Sequence, residues 1–164
     1  GGHRVPFLVR SPGVVEPGSL CDQPVGLTDV MATVADALGV ELEPASAEDS
    51  RSLVEILKGV SEEPLADGLV QHSISGQFAI RQGPWKLCFC PGSGGWSQPK
   101  DAKAQAEGLP PVQLYNLSSD MGERTNLAAK ETERVLAMTK LLRQIVESHP
   151  NDGKAWWRQL PWEE

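Results

Sequence analysis

Between residues 69 and 90 three short apolar runs follow one another with only two or three residues between them, and this spacing constrains the fold more than any other feature of the chain. The runs cover residues 69–74, 77–81 and 85–90, separated by Ser75-Gly76 and Gln82-Gly83-Pro84. Connections this short are turns, so consecutive strands must pair antiparallel as a meander. Residues 112–117, Val-Gln-Leu-Tyr-Asn-Leu, read as a fourth strand. The stretch 91–111 between the third and fourth strands is rich in Gly, Pro, Ser and Gln and has no period, which predicts a long loop. Residues 131–148 carry Val135, Met138, Leu141, Leu142, Ile145 and Val146 on one stripe with Glu, Lys and Arg opposite, which predicts a helix stopped by Pro150. The tail beyond it (149–164) holds three of the five Trp, a density that predicts packing against other protein.

The first third has a different character. Residues 5–10, Val-Pro-Phe-Leu-Val-Arg, read as a strand closed by the turn Ser11-Pro12-Gly13. Thr28 is placed as an N-cap, with Asp29 in the first turn where the helix dipole favours an acid. Val30, Met31, Val34, Ala37 and Leu38 recur at helical spacing up to Gly39, which predicts a helix over 28–38. Residues 40–50 read as an acidic surface loop, 52–58 as a short helix ended by Gly59, and 60–68 as a loop between two subdomains.

Charge and motifs narrow the chemistry. A net charge of −7 leaves no basic patch for a nucleic acid, so no nucleic-acid partner is expected. No apolar run approaches the roughly 20 residues of a membrane helix, and no membrane partner is expected. The chain starts at Gly1 rather than Met and has no basic-then-apolar leader, so a fragment or processed product is expected, with any export signal upstream. Three cysteines define no disulfide framework; Cys88 and Cys90 sit two apart in a strand, and packing and metal binding are both open to them. There is no G-x-S-x-G elbow, no G-x-x-x-x-G-K-[ST] loop, no H-E-x-x-H pair and no EF-hand spacing.

Four segments, taken in order, resemble the C-terminal region of type I, formylglycine-dependent sulfatases of the arylsulfatase-A-like group, within the alkaline phosphatase superfamily. Gly1-Gly2-His3-Arg4-Val5-Pro6 is similar to the family's E-G-G-x-R-x-P segment. Thr28-Asp29-Val30-Met31-Ala32-Thr33 resembles its L-x-D-[LV]-M-x-T helix. Phe78-Ala79-Ile80-Arg81-Gln82-Gly83-Pro84-Trp85-Lys86, with its lead-in from His72, is similar to F-A-[IV]-R-x-G-x-[WY]-K. Residues 114–127 match L-Y-[DN]-L-x-x-D-P-x-E-x-x-N-L, with Met121 where the family has Pro.

The resemblance implies an α+β fold in two parts. Residues 1–60 would be a strand-helix remnant ending the large α/β catalytic domain. Residues 69–148 would form a four-stranded antiparallel sheet packed by the long helix. It also implies a parent enzyme that hydrolyses sulfate esters, among them sulfated carbohydrates, with a formylglycine made within C/S-x-P-x-R and a calcium ion. Cys21-Asp22-Gln23-Pro24-Val25 and Cys90-Pro91-Gly92-Ser93-Gly94 both fail that pentapeptide. The family's metal ligands and sulfate-binding Lys fall upstream of Gly1. No catalytic or metal-binding residue is therefore expected in the chain, and alone it should be inactive. The residues implied at the rim of the substrate pocket are His72, Trp96, Ser97, Arg4 and His3. For Trp96 a ring-stacking role stands beside a bare loop tip, for His72 a substrate contact beside a structural one, and for Arg4 an ion pair beside plain exposure. The parent is expected to be periplasmic, extracellular or lysosomal, and self-association through residues 1–60 or the Trp-rich tail is expected where the rest of the fold is missing. Two other readings stay open: a non-catalytic α+β interaction module, and a phosphatase or phosphonate hydrolase of the same superfamily.

Overall fold

The computed structural model describes residues 4–43, 46–61 and 63–148; His3 and the Trp-rich tail lie outside the described residues. The chain forms two compact units, Gly1–Asp67 and Gly68–Glu164.

The second unit is an antiparallel meander, β1 (Leu69–His72), β2 (Phe78–Gln82), β3 (Trp85–Cys88) and β4 (Gln113–Asn116), in that spatial order. Its register sets Val70 opposite Ile80, Ile80 opposite Leu87 and Leu87 opposite Leu114, so one apolar row crosses all four strands. Helix α4 (Thr132–Ser148) covers that row with Met138 and Leu142, both fully buried, flanked by Val135, Leu141 and Ile145. Each such side chain taken from water contributes about 1.5–3 kcal/mol. Arg134, on the same helix, lies 4.1 Å from the centre of the Trp85 ring, a cation–π contact at the edge of the core.

The stretch 91–111 is not loop throughout, as its composition suggests. Helix α3 (Asp101–Ala106) interrupts it, built from good helix formers in a run too short to display a period. Its Ala104 is fully buried.

The segment from residue 114 to 127 is scaffold. Asn126 Oδ1 accepts from the Leu114 and Ala128 amides, both at 2.9 Å, and its Nδ2 donates to the Val112 carbonyl at 3.0 Å. Asp120 Oδ2 accepts from the Arg124 and Thr125 amides at 2.8 Å. Lys86 Nζ meets Glu123 Oε1 at 2.7 Å, joining the Trp-Lys hairpin to this turn.

In the first unit residues 5–10 form no strand, a correction to the sequence reading: among the described residues this unit has no other strand to supply a ladder. Helix α1 (Asp29–Leu38) ends at Gly39 in the left-handed conformation, φ 65°. Thr28 is not the side-chain cap assigned to it. The buried Asp29 carboxylate caps no amide of the helix but ties the flanking chain to it, accepting from the Gly26 amide at 2.7 Å and the Arg51 amide at 3.1 Å. Thr33 Oγ1 accepts from the Leu53 amide at 2.9 Å, and Ser50 Oγ accepts from the Ala32 amide at 2.8 Å. The polar side of α1 thus faces the segment leading into α2 (Val54–Leu57), while Val30, Met31, Val34 and Leu38 are exposed. With Leu27 and Val40 they line an open apolar groove of about 740 Å³.

Candidate functional site

Residues 91–100 of the second unit leave β3 and present Trp96 at their tip, 83% exposed. The loop is held from its base. Asp101 Oδ1, at the start of α3, accepts from the Gly92 amide at 3.2 Å and the Gly94 amide at 3.0 Å. A Cβ on Gly92 would stand 2.7 Å from the Pro99 carbonyl oxygen and 2.8 Å from Asp101 Oδ1, so only glycine allows the approach. Gln113 Nε2, on β4, donates to the Cys90 and Gly92 carbonyls, both at 2.7 Å. Within the loop the Ser93 amide donates to the Pro99 carbonyl, Ser93 Oγ donates to the Ser97 carbonyl, and Lys100 Nζ donates to the Gly95 carbonyl.

The β1–β2 turn sits beside this loop. The Cβ position of Gly95 is 3.5 Å from Ile74 Cγ2, and that of Gly94 is 3.5 Å from Ser73 Oγ. Ser73 Oγ accepts from the Ser75 and Gln77 amides at 3.2 Å, which sets the turn. His72, at the end of β1, is exposed; its Nδ1 is 3.0 Å from the Ser73 carbonyl, so Nδ1 carries the proton. The fold therefore gathers the His72 turn, Trp96 and Ser97 at one end of the sheet. Arg4 belongs to the first unit, exposed on irregular chain, and His3 is outside the described residues.

The loop's anchors, Asp101, Gln113 and Lys100, were not legible in the sequence. One signal was available: an Asp ending a glycine-rich stretch, just where helix formers begin, is a natural acceptor for backbone N–H groups.

Of the cysteines, Cys21 is exposed, Cys88 half-buried and Cys90 buried. Burial pushes the Cys88 thiol up to about 11, against the pull of the Lys86 charge. Burial pushes Cys90 up to about 12, with Cys88 and Asp101 adding to it. Burial likewise raises Tyr115 to about 12. Thiols kept protonated at neutral pH are poor nucleophiles and poor metal ligands. Among the described residues no three His, Cys, Asp or Glu side chains converge as a metal-ion site. Among the described residues no donor set fits a calcium ion, and neither Cys21 nor Cys90 opens a C/S-x-P-x-R pentapeptide.

No protein-family model matches the chain. Its sequence is 34% identical over 131 residues to a choline-sulfatase of Rhizobium meliloti, covering 78% of this chain and 22% of that protein. It is 29% identical over 154 residues to an N-acetylgalactosamine-6-O-sulfatase of Bacteroides thetaiotaomicron, covering 88% of this chain and 27% of that protein. A solved structure from a Bacteroides thetaiotaomicron locus for the metabolism of multiple glycosaminoglycans superposes on 71% of this chain and 24% of its own, with a TM-score of 0.56 and 27% identity. The chain thus spans about a quarter of the length of the curated relatives it matches.

Proposed function

We propose that this chain, kin to sulfatases in both sequence and fold, is the C-terminal segment of a sulfuric-ester hydrolase whose nucleophile and calcium ion belong to residues outside it. One observation carries the reading: a 34% match to a sulfatase runs through most of this chain and uses only 22% of the relative. A formylglycine and a calcium ion would supply the nucleophile and the charge neutralisation that cleaving a sulfate ester requires. The chain's own contribution is the rim of the pocket. Trp96, Ser97 and His72 would face the part of the substrate that carries the ester. On the resemblance alone, Arg4 and His3 would contribute to sulfate binding together with the sulfate-binding Lys expected just upstream.

The exposed apolar side of α1 fits the same reading. A helix that keeps its polar side on its own loop and turns Val30, Met31, Val34 and Leu38 outward is built to be covered. The occupant we assign is the remaining three quarters of the parent polypeptide; a second copy of the chain is the competing occupant. The first unit would then be the end of the large catalytic domain, and the second unit the smaller C-terminal subdomain. Sulfated carbohydrate is the substrate class we favour, and a periplasmic, extracellular or lysosomal compartment the setting. No helix among the described residues is long and apolar enough to cross a membrane.

The test is sulfate release from 4-nitrophenyl sulfate and from a sulfated disaccharide, by the 164-residue chain and by the polypeptide extended upstream of Gly1. Turnover by the extended protein alone is the expected result. Turnover by the chain itself, or an upstream frame lacking C/S-x-P-x-R, would overturn the proposal. One observation favours a second reading, a non-catalytic module: the second unit closes its own core around α4, as an independently folding domain must.

A further inference from the structure

We propose that Trp96, with Ile74 beside its loop, is a stacking platform for the apolar face of a sugar ring, and that Asp101 is the positioning residue that holds it. The choice of ligand class rests on the sulfate-ester reading above; the platform itself rests on geometry.

An exposed tryptophan at a loop tip ordinarily costs solvation and returns nothing, so the order of the loop beneath it is informative. Residues 91–100 are secured by two amides on Asp101, two carbonyls on Gln113 and one carbonyl on Lys100. Gly92 is packed so tightly against residues 99–101 that no side chain fits there. All of this order fixes the path of the backbone, yet the indole it delivers is 83% exposed, and Ile74, 71% exposed, abuts Gly95. The backbone that carries this aromatic is preorganised for a ligand, so that only the two torsions of the indole side chain remain to be ordered on binding.

The surroundings choose between ring types. An aryl ring gains most from enclosure by further apolar walls, and this site is open on one side. A pyranose has one C–H face suited to a single indole and a rim of hydroxyls. Around Trp96 the exposed neighbours are Ser97, Gln98 and Lys100, all able to hydrogen-bond that rim. The Lys100 ammonium adds a positive charge next to the tip in a chain of net charge −7, which suits a ring that carries sulfate. Asp101 acts through the backbone only, so its requirement is an acceptor oxygen at Oδ1 and not a negative charge.

The experiment is an NMR titration of the 164-residue chain with a sulfated glycosaminoglycan disaccharide, following the Trp96 indole N–H, identified as the cross-peak lost in Trp96→Ala. We expect a saturable shift of that signal, affinity weakened roughly fivefold in Trp96→Ala and largely kept in Trp96→Phe. Asp101→Asn should bind as the parent does, because Oδ1 remains an acceptor, while Asp101→Ala should broaden the Trp96 signal and weaken binding. Trp96 is a surface position, so its substitution leaves the fold intact even if Asp101→Ala does not fold. No shift, affinity unchanged in Trp96→Ala, or an equal response to 4-nitrophenyl sulfate would each overturn the platform. Binding without sulfate release by the extended polypeptide would keep the platform and remove the hydrolase. Release with a KM unchanged in Trp96→Ala would keep the hydrolase and remove the platform.

Discussion

Two amphipathic helices, one in each unit, are turned opposite ways. In the second unit α4 lays Met138 and Leu142 on the Val70–Ile80–Leu87–Leu114 row and leaves its charges in water. In the first unit α1 gives Asp29, Thr33 and the Ala32 amide to its own following segment and leaves Val30, Met31, Val34 and Leu38 outside. The stripes are equally plain in the sequence. An apolar stripe states that a helix will be covered; whether the cover lies in the same chain depends on what else that chain contains. Four strands stand behind α4, and none among the described residues of its unit stands behind α1.

The sharpest way to break this comparison is to cut the same kind of side chain from both helices. Leu142→Ala should cost about 2–5 kcal/mol, by lost transfer energy and a residual cavity, read by urea unfolding. Val34→Ala should change stability by less than about 0.5 kcal/mol in this chain, since its side chain already meets water. An equal and concentration-dependent loss at Val34 would mean that a second copy covers α1 in solution. Next in size is Asn126→Ala, which removes the three bonds tying β4 to the approach to α4 and should cost roughly 1–3 kcal/mol.

Alkali should separate the units as well. Cys88 and Cys90 are raised from 9.0 to about 11 and about 12, so their neutral forms are the ones the fold favours. As pH rises past 9 the unfolded chain gives up these protons first, and the stability the neutral thiols contribute below pH 9 is lost through pH 11 to 12. The second unit, which holds both thiols and Tyr115, should therefore show the steeper alkaline decline. Cys88→Ala should flatten that decline between pH 9 and 11 when unfolding is followed by circular dichroism. A slope unchanged in that variant would mean the thiol ionises at the same pH in the folded and the unfolded chain.

The meander and its covering helix were legible because period and turn chemistry agree there: Gly76 and Gly83 stand where tight turns need them, and the period-2 row pairs strand with strand. The strand expected at 5–10 was not, because β pattern records a tendency and a ladder needs a neighbour. Thr28 makes no side-chain cap, and the early α1 amide that a side chain does satisfy, that of Ala32, goes to Ser50, too far along the chain for any local window. At the candidate site Trp96 and His72 could be singled out by residue type. Asp101 and Gln113 could not, because an anchor that acts on backbone amides and carbonyls leaves no pattern in side-chain periodicity.

The smallest effect expected compares one ion pair in each unit. Lys86 and Glu123 stand 2.7 Å apart with side chains only 13% and 33% exposed, whereas Lys58 and Glu55 stand 3.2 Å apart at 45% and 60%. Partial burial weakens solvent screening of the first pair, and its partners come from segments 37 residues apart, so it also fastens the hairpin to the turn. Glu123 holds a positive φ of 53°, a conformation uncommon outside glycine, so the fold tolerates local strain to keep a carboxylate there. A double-mutant cycle with Lys86→Met and Glu123→Gln should give a coupling of about 1 kcal/mol, against about 0.3 kcal/mol for Lys58→Met with Glu55→Gln. Equal couplings would mean that the buried pair loses in desolvation what it gains in attraction. The Lys and Glu of the two sequence motifs would then be retained for the path they set and not for stability.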